Sequence, residues 1–405
     1  MKTKNITFIG LNYAPEDTAI GLYSTQWVDY LNAHGFKVSV ITAFPYYPQW
    51  EIWEDYRSRS TFLKETSNDI KIYRYKQYVP KNPTFFKRII HLLDFTFGSF
   101  INLLKIKECD LVISVVPFTS SVLLGYIQKK RFKSKLWVHI QDFEFDAALQ
   151  TGLGGKKKRS FSFLFKLEKW LLSKADVGST ISQSMLKRLS EKSKCNQFYL
   201  PNWIDEDNIN PELAREHPLM GSSKLKILYS GNIGDKQDWE TFMTFCKEID
   251  ADKYDVVVVG SGARKDWLVD QIEPLEHVQY YEPVPYEELS DLLCSADLHV
   301  LFQKPDVIDT VMPSKVLGMM ASAKPSIIIG NEASEVKKIF DESNGGLYFT
   351  NYSTDLIAKM NELLGDPERS KTAGDNARAY VIQHFSKENI LSQMVEKLNS
   401  MMGTH

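Results

Sequence analysis

The sequence predicts an α/β fold built from two doubly wound parallel sheets. Three observations carry that expectation. Short β-rich apolar runs recur along the whole chain. Helix-length amphipathic segments lie between them. The alternation stops at a proline-rich stretch and then restarts. Continuous apolar runs mean strands covered on both faces, and strands alternating with helices are the pattern of a parallel sheet with crossover connections.

In the first half the strand candidates are Ile6–Leu11, Val38–Thr42, Leu111–Val116, Leu136–Ile140, Val177–Ile181 and Phe198–Leu200. Gly21–His34 reads as a helix stopped by Gly35. The second set is Leu225–Tyr229, Val256–Val259, Val278–Tyr281, Leu298–Phe302, Ser326–Ile329 and Gly346–Phe349. Twelve strands are many for one open sheet, so two domains are expected. A chain of 405 residues agrees with that count. Pro201–Ser223, rich in Pro, Asn, Asp and Glu, is the expected hinge. The domains are then 1–202 and 203–385. The last helical stretch, Lys387–Met401 within 386–405, either caps the second domain or returns to complete the first.

A net charge of −2 gives no global field to recruit nucleic acid. The four cysteines, Cys109, Cys195, Cys246 and Cys294, are scattered, which speaks against a disulfide framework or a zinc site and fits a reducing compartment. The N-terminal apolar run is too short for a signal peptide, and no stretch of 18 apolar residues exists. A cytoplasmic protein is expected.

Ligands in an open parallel sheet sit beyond the carboxyl ends of the strands, so the segments after each strand are the candidate sites. After the first strand come Asn12, Tyr13, Ala14, Pro15 and Glu16, then a helix start near Gly21. Free amides and the positive dipole end there suit a phosphate, and Gly21 permits close approach. The bland alternative is an ordinary connecting loop. The fifth run leads through His139 into Asp142, Glu144 and Asp146. His139 can hydrogen-bond a sugar hydroxyl or phosphate and can carry protons near neutral pH, or it is a core histidine bonded to backbone.

The second half opens with Ser230-Gly231-Asn232-Ile233-Gly234-Asp235-Lys236, a glycine-bearing loop with a cation before a helix. That combination suits a diphosphate. The next strand ends in Gly260-Ser261-Gly262, a weak GxG signal lacking the third glycine of a dinucleotide fingerprint. The most informative stretch is Gln303–Pro325. Asp306 and Asp309 precede Pro313, which fits the first turn of a helix, with Ser314 and Lys315 at its start. Acidic groups there can hold sugar hydroxyls, while Lys315 and the helix end hold phosphate. Glu335, in a first helical turn, is a dipole partner or a ribose ligand. Thr84–Lys107 is apolar and aromatic with basic ends. It is either an interfacial membrane helix or a core helix packed on the first sheet.

NYAPE with Gly21, HIQDFEFD, SGNIGDKQ, GSGA and D-x-x-MPSK-x-L-G-M-x-A-S resemble glycosyltransferase family 4 over nearly the whole chain. The nearer resemblance is to the colanic-acid fucosyltransferase and N-acetylfucosamine transferase subgroup of O-antigen and capsule assembly. This implies a GT-B fold, with two Rossmann-like domains facing a cleft and the terminal helix on the first. It implies no metal, no other cofactor, and usually retained anomeric configuration. The donor is a UDP- or GDP-linked deoxysugar held mainly by the second domain. The acceptor is a lipid-linked saccharide at the inner face of the membrane. The family's usual paired glutamates align with Thr310 and Gly318, and its phosphate-gripping arginine aligns with Asn232, so its donor site does not carry over whole.

On this reading His139, Lys236, Asp309 and Lys315 are the catalytic candidates. Gly21, Glu16, Gly231, Asn232, Gly262, Pro313, Ser314 and Glu335 bind the donor. Tyr13, Asp142 and Glu144 lie on the acceptor side. The rival readings are a nucleotide-sugar 2-epimerase of the same fold and a non-enzymatic two-lobed solute-binding protein.

Overall fold

The computed structural model of the chain describes residues 3–17, 19–82, 84–116, 119–143, 158–307 and 314–403. Its contacts divide the chain into two units, Met1–Leu200 with Leu391–His405, and Pro201–Ile390.

The first unit carries β1 (Asn5–Ile9), β2 (Lys37–Ala43), β3 (Phe62–Ser67), β4 (Ile70–Tyr75), β5 (Leu111–Val116), β6 (Lys135–Ile140), β7 (Val177–Thr180) and β8 (Asn196–Tyr199). They pair in the order β3-β4-β2-β1-β5-β6-β7-β8. Every pairing is parallel except the β3–β4 hairpin. The helices are α1 (Ala19–Ala33), α2 (Glu54–Arg57), α3 (Phe85–Leu104), α4 (Thr119–Phe132), α5 (Lys158–Leu172) and α6 (Gln183–Lys192). All six residues of β5 are buried, as a strand covered on both faces requires. Gly35, at φ 84, ends α1 in the left-handed conformation that glycine adopts without strain. Trp27 Nε1 donates to Met394 Sδ at 3.3 Å, tying the C-terminal helix to this unit.

β3 and β4 are absent from the strand expectations. Their turn is Asn68-Asp69, at φ 47 and 66, the two-residue loop of a tight hairpin. β3 carries no buried residue. Without an apolar run it leaves only the turn as a signal.

In α3 the amphipathic pattern is turned inside out. Phe86, Ile90, Leu93, Phe97 and Leu104 form one exposed stripe at heptad-like spacing. The inward face holds His91, Ser99 and Asn102, all buried, beside Phe95. Asp94 accepts from Tyr75 Oη at 2.9 Å and from the Tyr78 amide at 2.6 Å. Arg131 donates to the carbonyls of Leu103 and Leu104 at 3.0 and 3.1 Å, satisfying the helix C-terminus. Thus the core-helix alternative applies to one face only.

The second unit carries β9 (Leu225–Ser230), β10 (Tyr254–Val259), β11 (Val278–Tyr281), β12 (Leu298–Phe302), β13 (Ser326–Ile329) and β14 (Gly346–Phe349). All are parallel, in the order β11-β10-β9-β12-β13-β14. Its helices are α7 (Trp239–Glu248), α8 (Lys265–Ile272), α9 (Leu289–Cys294), α10 (Ser314–Ala321), α11 (Glu335–Ser343), α12 (Thr354–Gly365) and α13 (Pro367–Phe385), and α14 (Lys387–Met402) follows them. The stretch read as a hinge packs onto this unit. Arg378 donates to the carbonyls of Ile209, at 2.8 Å, and Ala321. The strand order reverses between β9 and β12, which makes their carboxyl ends the switch point where such sheets bind ligands.

Candidate active site

At that switch point Lys315, one residue into α10, reaches the loop after β9. Its Nζ lies 2.9 Å from Tyr229 Oη and 4.7 Å from the centre of the Tyr229 ring. Tyr229 is buried and donates its own proton to the carbonyl of Asn232 at 2.7 Å. Burial pushes this phenol far above its ordinary range, so it stays protonated. The phenol oxygen therefore accepts from the ammonium while its proton fixes the loop. Tyr229 itself stands on Trp239, edge to face, at 4.9 Å.

Gly231 sits directly under Lys315. Its φ of 135 excludes ordinary side chains, and a Cβ there would lie 3.3 Å from Lys315 Cε. A Cβ on Gly262 would lie 2.3 Å from the Ile233 carbonyl and 2.5 Å from Asn232 Oδ1. The glycine therefore permits the loops after β9 and β10 to touch. The Gly231 and Ile233 amides complete that seam by donating to Val259 and Ser261, each at 2.9 Å. Lys315, Gly231, Asn232 and Gly262 are thus one packed cluster.

Lys236 is exposed on the same loop and makes no ion pair with any described residue. The amides expected beside it are modified by an acidic cap. Asp238 Oδ1 accepts from the Thr241 amide at 3.1 Å, and its Oδ2 accepts from Thr241 Oγ1 at 2.7 Å. A carboxylate at this helix start repels an anion, which corrects the expectation of a phosphate on the α7 N-terminus and leaves Lys236 as the exposed cation of the loop. Ser314 is exposed at the first residue of α10. Glu335 opens α11, whose cap is Ser334, accepting from the Val336 amide at 3.2 Å. Asp309 and Pro313 lie outside the described residues. Sequence reasoning missed Tyr229; the available signal was a tyrosine at the end of an apolar strand, one step before a glycine loop.

The first unit holds the remaining candidates, and burial redefines several of them. Glu16 is buried. Its Oε1 accepts from the Tyr46 and Tyr47 amides, each at 2.8 Å, and its Oε2 accepts from Asn12 at 2.8 Å. Its oxygens brace the loops after β1 and β2, which corrects the donor-binding reading. Gly21 is explained by the same loop, since a Cβ there would lie 2.8 Å from the Glu16 carbonyl. Tyr13 is buried, which corrects its placement on an acceptor surface. Asp142 is exposed, and Glu144 lies outside the described residues.

His139 is buried on β6. Its Nδ1 lies 2.8 Å from Ser179 Oγ, which also accepts from Trp137 Nε1 at 2.7 Å. Its Nε2 lies 3.1 Å from the Gln141 side chain, and its ring meets Trp27 edge to face at 5.2 Å. Burial holds its pKa down at about 3, so the imidazole is neutral at ordinary pH and the proton-carrying role is corrected.

The same burial makes stability depend on pH. His139, and His299 in the second unit, both stay neutral down to about pH 3 in the folded chain. The unfolded side chains take a proton near pH 6.5. Between those values the unfolded state binds more protons, so stability is full above about pH 6.5 and falls as pH falls. From pH 7 to pH 5 each histidine should cost roughly 2 kcal/mol. Urea midpoints measured at both pH values check this, and midpoints that do not move would overturn it.

No group of three His, Cys, Asp or Glu among the described residues is placed to hold a metal ion. A family model described as glycosyl transferases group 1 matches residues 212–380. The chain is 31% identical over 409 residues to WcaI of Escherichia coli K12, a putative colanic acid biosynthesis glycosyl transferase, covering 97% of this chain and 99% of that one. Among solved structures it is similar to sucrose-phosphate synthase from Thermosynechococcus elongatus, at 16% identity and TM-score 0.75, covering 99% and 100% of the two chains. It is also similar to Anabaena HepE in complex with UDP-glucose, at 12% identity and TM-score 0.65, covering 98% and 99%. At such identities the structural likeness shows the fold alone, which is GT-B.

Proposed function

Because the chain belongs to the glycosyl transferases group 1 family, we propose that it moves a sugar from a nucleotide diphosphate to a saccharide acceptor in surface polysaccharide assembly. The observation that carries this reading is the cluster of Lys315 on Tyr229 and Gly231, with Lys236 on the same loop, at the switch point of the second unit. The donor is a UDP- or GDP-linked sugar, a deoxysugar such as fucose or N-acetylfucosamine. The anomeric carbon–oxygen bond breaks with its electron pair going to the diphosphate. The acceptor oxygen bonds the same face of that carbon, and its proton passes to the departing phosphate oxygen. The two ammonium groups stabilise the charge that develops on the leaving diphosphate, without metal. His139 can serve only as a neutral hydrogen-bonding group.

The acceptor is lipid-linked. The exposed apolar stripe of α3, with Lys81 and Lys87 near its start and Lys105 and Lys107 after its end, supports a peripheral membrane contact. No helix among the described residues is long and apolar enough to cross a membrane.

Thermal unfolding with UDP, GDP and their sugars tests the donor reading. One nucleotide should raise the midpoint, by the equivalent of ~2.7 kcal/mol at a hundred times its dissociation constant. Silence from all of them would sink it. Incubation with the donor and no acceptor should leave it intact or slowly hydrolysed; appearance of the C2 epimer would favour the epimerase reading instead.

A further inference from the structure

An aromatic cluster in the first unit lies at the carboxyl ends of β2 and β4, where ligands of such sheets bind. Trp50, Arg88 and His91 are not among the donor, acceptor or catalytic candidates above, although the Tyr46 amide donates to Glu16. Tyr46 and Trp50 meet edge to face at 5.4 Å, and His91 packs on both, at 4.9 and 5.8 Å. The Arg88 guanidinium lies over the Trp50 ring at 5.2 Å. Trp50 is only half-buried, and its backbone is left-handed, at φ 55. A bulky aromatic residue in that region is a strained outlier, and such strain persists where the surroundings hold it in place. The loop is held by the amides of Glu51 and Trp53, which donate to Tyr46 and Pro45 at 3.2 and 3.0 Å.

His91 is 1% exposed. Its Nδ1 bonds the Tyr78 carbonyl, which can only accept, so Nδ1 carries the proton. Nε2 is then a buried acceptor, and it has no partner. A buried acceptor without a donor is costly, and each one calls for an explanation. What it needs is a hydroxyl or amide proton, which an ionised phosphate does not offer.

We propose that Trp50, Arg88 and His91 form a subsite for one pyranose ring of the acceptor saccharide. A ring C–H face packs on the exposed part of Trp50, a hydroxyl donates to His91 Nε2, and Arg88 donates to neighbouring sugar oxygens. A nucleobase is the rival occupant of the open part of the indole, and the parallel UDP titration separates the two. This subsite rests on the acceptor reading given above, and its test is independent of the donor.

Saturation-transfer NMR with methyl glycosides of glucose, galactose, mannose and N-acetylglucosamine tests it, with UDP titrated in parallel. The wild-type protein should bind at least one glycoside. Trp50→Ala should weaken that binding ~10-fold or more, and Trp50→Tyr, which keeps a ring, should restore most of it. His91→Asn, which keeps a donor for Tyr78 and removes Nε2, should weaken it about 5-fold. Arg88→Ala should also weaken it, and none of the variants should change UDP binding. If no glycoside binds, or all variants bind alike, the subsite is wrong while UDP binding leaves the donor reading standing. Loss of UDP binding in Trp50→Ala would also overturn it, by making the platform a base site. Glycoside binding without UDP binding would keep the subsite and remove the donor reading.

Discussion

Lys315→Ala should lower kcat by ~10²-fold or more with the fold intact. The lysine is not a free surface cation whose loss the solvent would mask. Its ammonium is fixed on Tyr229 at 2.9 Å, against a glycine whose φ of 135 admits nothing larger. A cation held in place before the reaction needs no reorganisation when the diphosphate departs, which is where such charges act most strongly. The tether itself gives a second, finer test. Tyr229→Phe keeps the ring under the ammonium but removes the oxygen that accepts from it and the proton given to Asn232. Its kcat should fall less than that of Lys315→Ala, with donor binding little changed. Lys315→Arg should not rescue, because the planar fork does not fit a slot shaped for a point charge. Single-turnover rates on folded variants decide the matter. Near-normal turnover in Lys315→Ala would end the leaving-group role.

Much of the fold was legible because the strands that build it are fully buried. β5 and β12 carry buried residues at every position, so each reads as an apolar run that needs no partner information. β3 did not read as a strand, because its pairing to β4 satisfies backbone groups without burying a face. The site was legible as loops but not as roles. Composition showed a histidine at a strand end, yet only the surrounding Trp27, Trp137 and Ser179 reveal how far burial lowers its pKa. Likewise Glu16 reads as a polar residue in a ligand loop, and its two amide partners lie thirty and thirty-one residues away in sequence. Gly318, where the resembling family carries a glutamate, is buried, and a Cβ there would lie 3.2 Å from Leu293. A longer side chain at that position would press on Leu293, so α10 packs closely there.

A Leu93→Glu/Phe97→Glu variant should lose binding to vesicles rich in anionic phosphatidylglycerol by roughly 10²-fold, with thermal stability little changed. Both side chains are about two-thirds exposed, at 63% and 66%, so replacing them removes little from the core. Full burial of each would contribute ~1.5–3 kcal/mol, and half of that on both side chains gives about the stated factor. A core helix cannot tolerate two such charges, and a solvated helix would not notice them, so the pair of readouts separates three roles. Salt should weaken the wild-type binding, because lysines near both ends of α3 would meet the anionic surface, each contributing about 1 kcal/mol near it. The inward face explains why the stripe cannot simply turn over into the core. His91, Asp94, Thr96 and Asn102 are each hydrogen-bonded on that side, to Tyr78, Tyr75, Ser120 and Lys105. Rotating the helix to bury Phe86, Leu93 and Phe97 would break the bonds of His91, Asp94 and Thr96 and strip the Leu103 and Leu104 carbonyls of Arg131. If wild-type protein and variant sediment equally with vesicles, the stripe is not the membrane contact. If instead the wild type is a dimer that the variant dissolves, the apolar face is covered by a second copy of the chain.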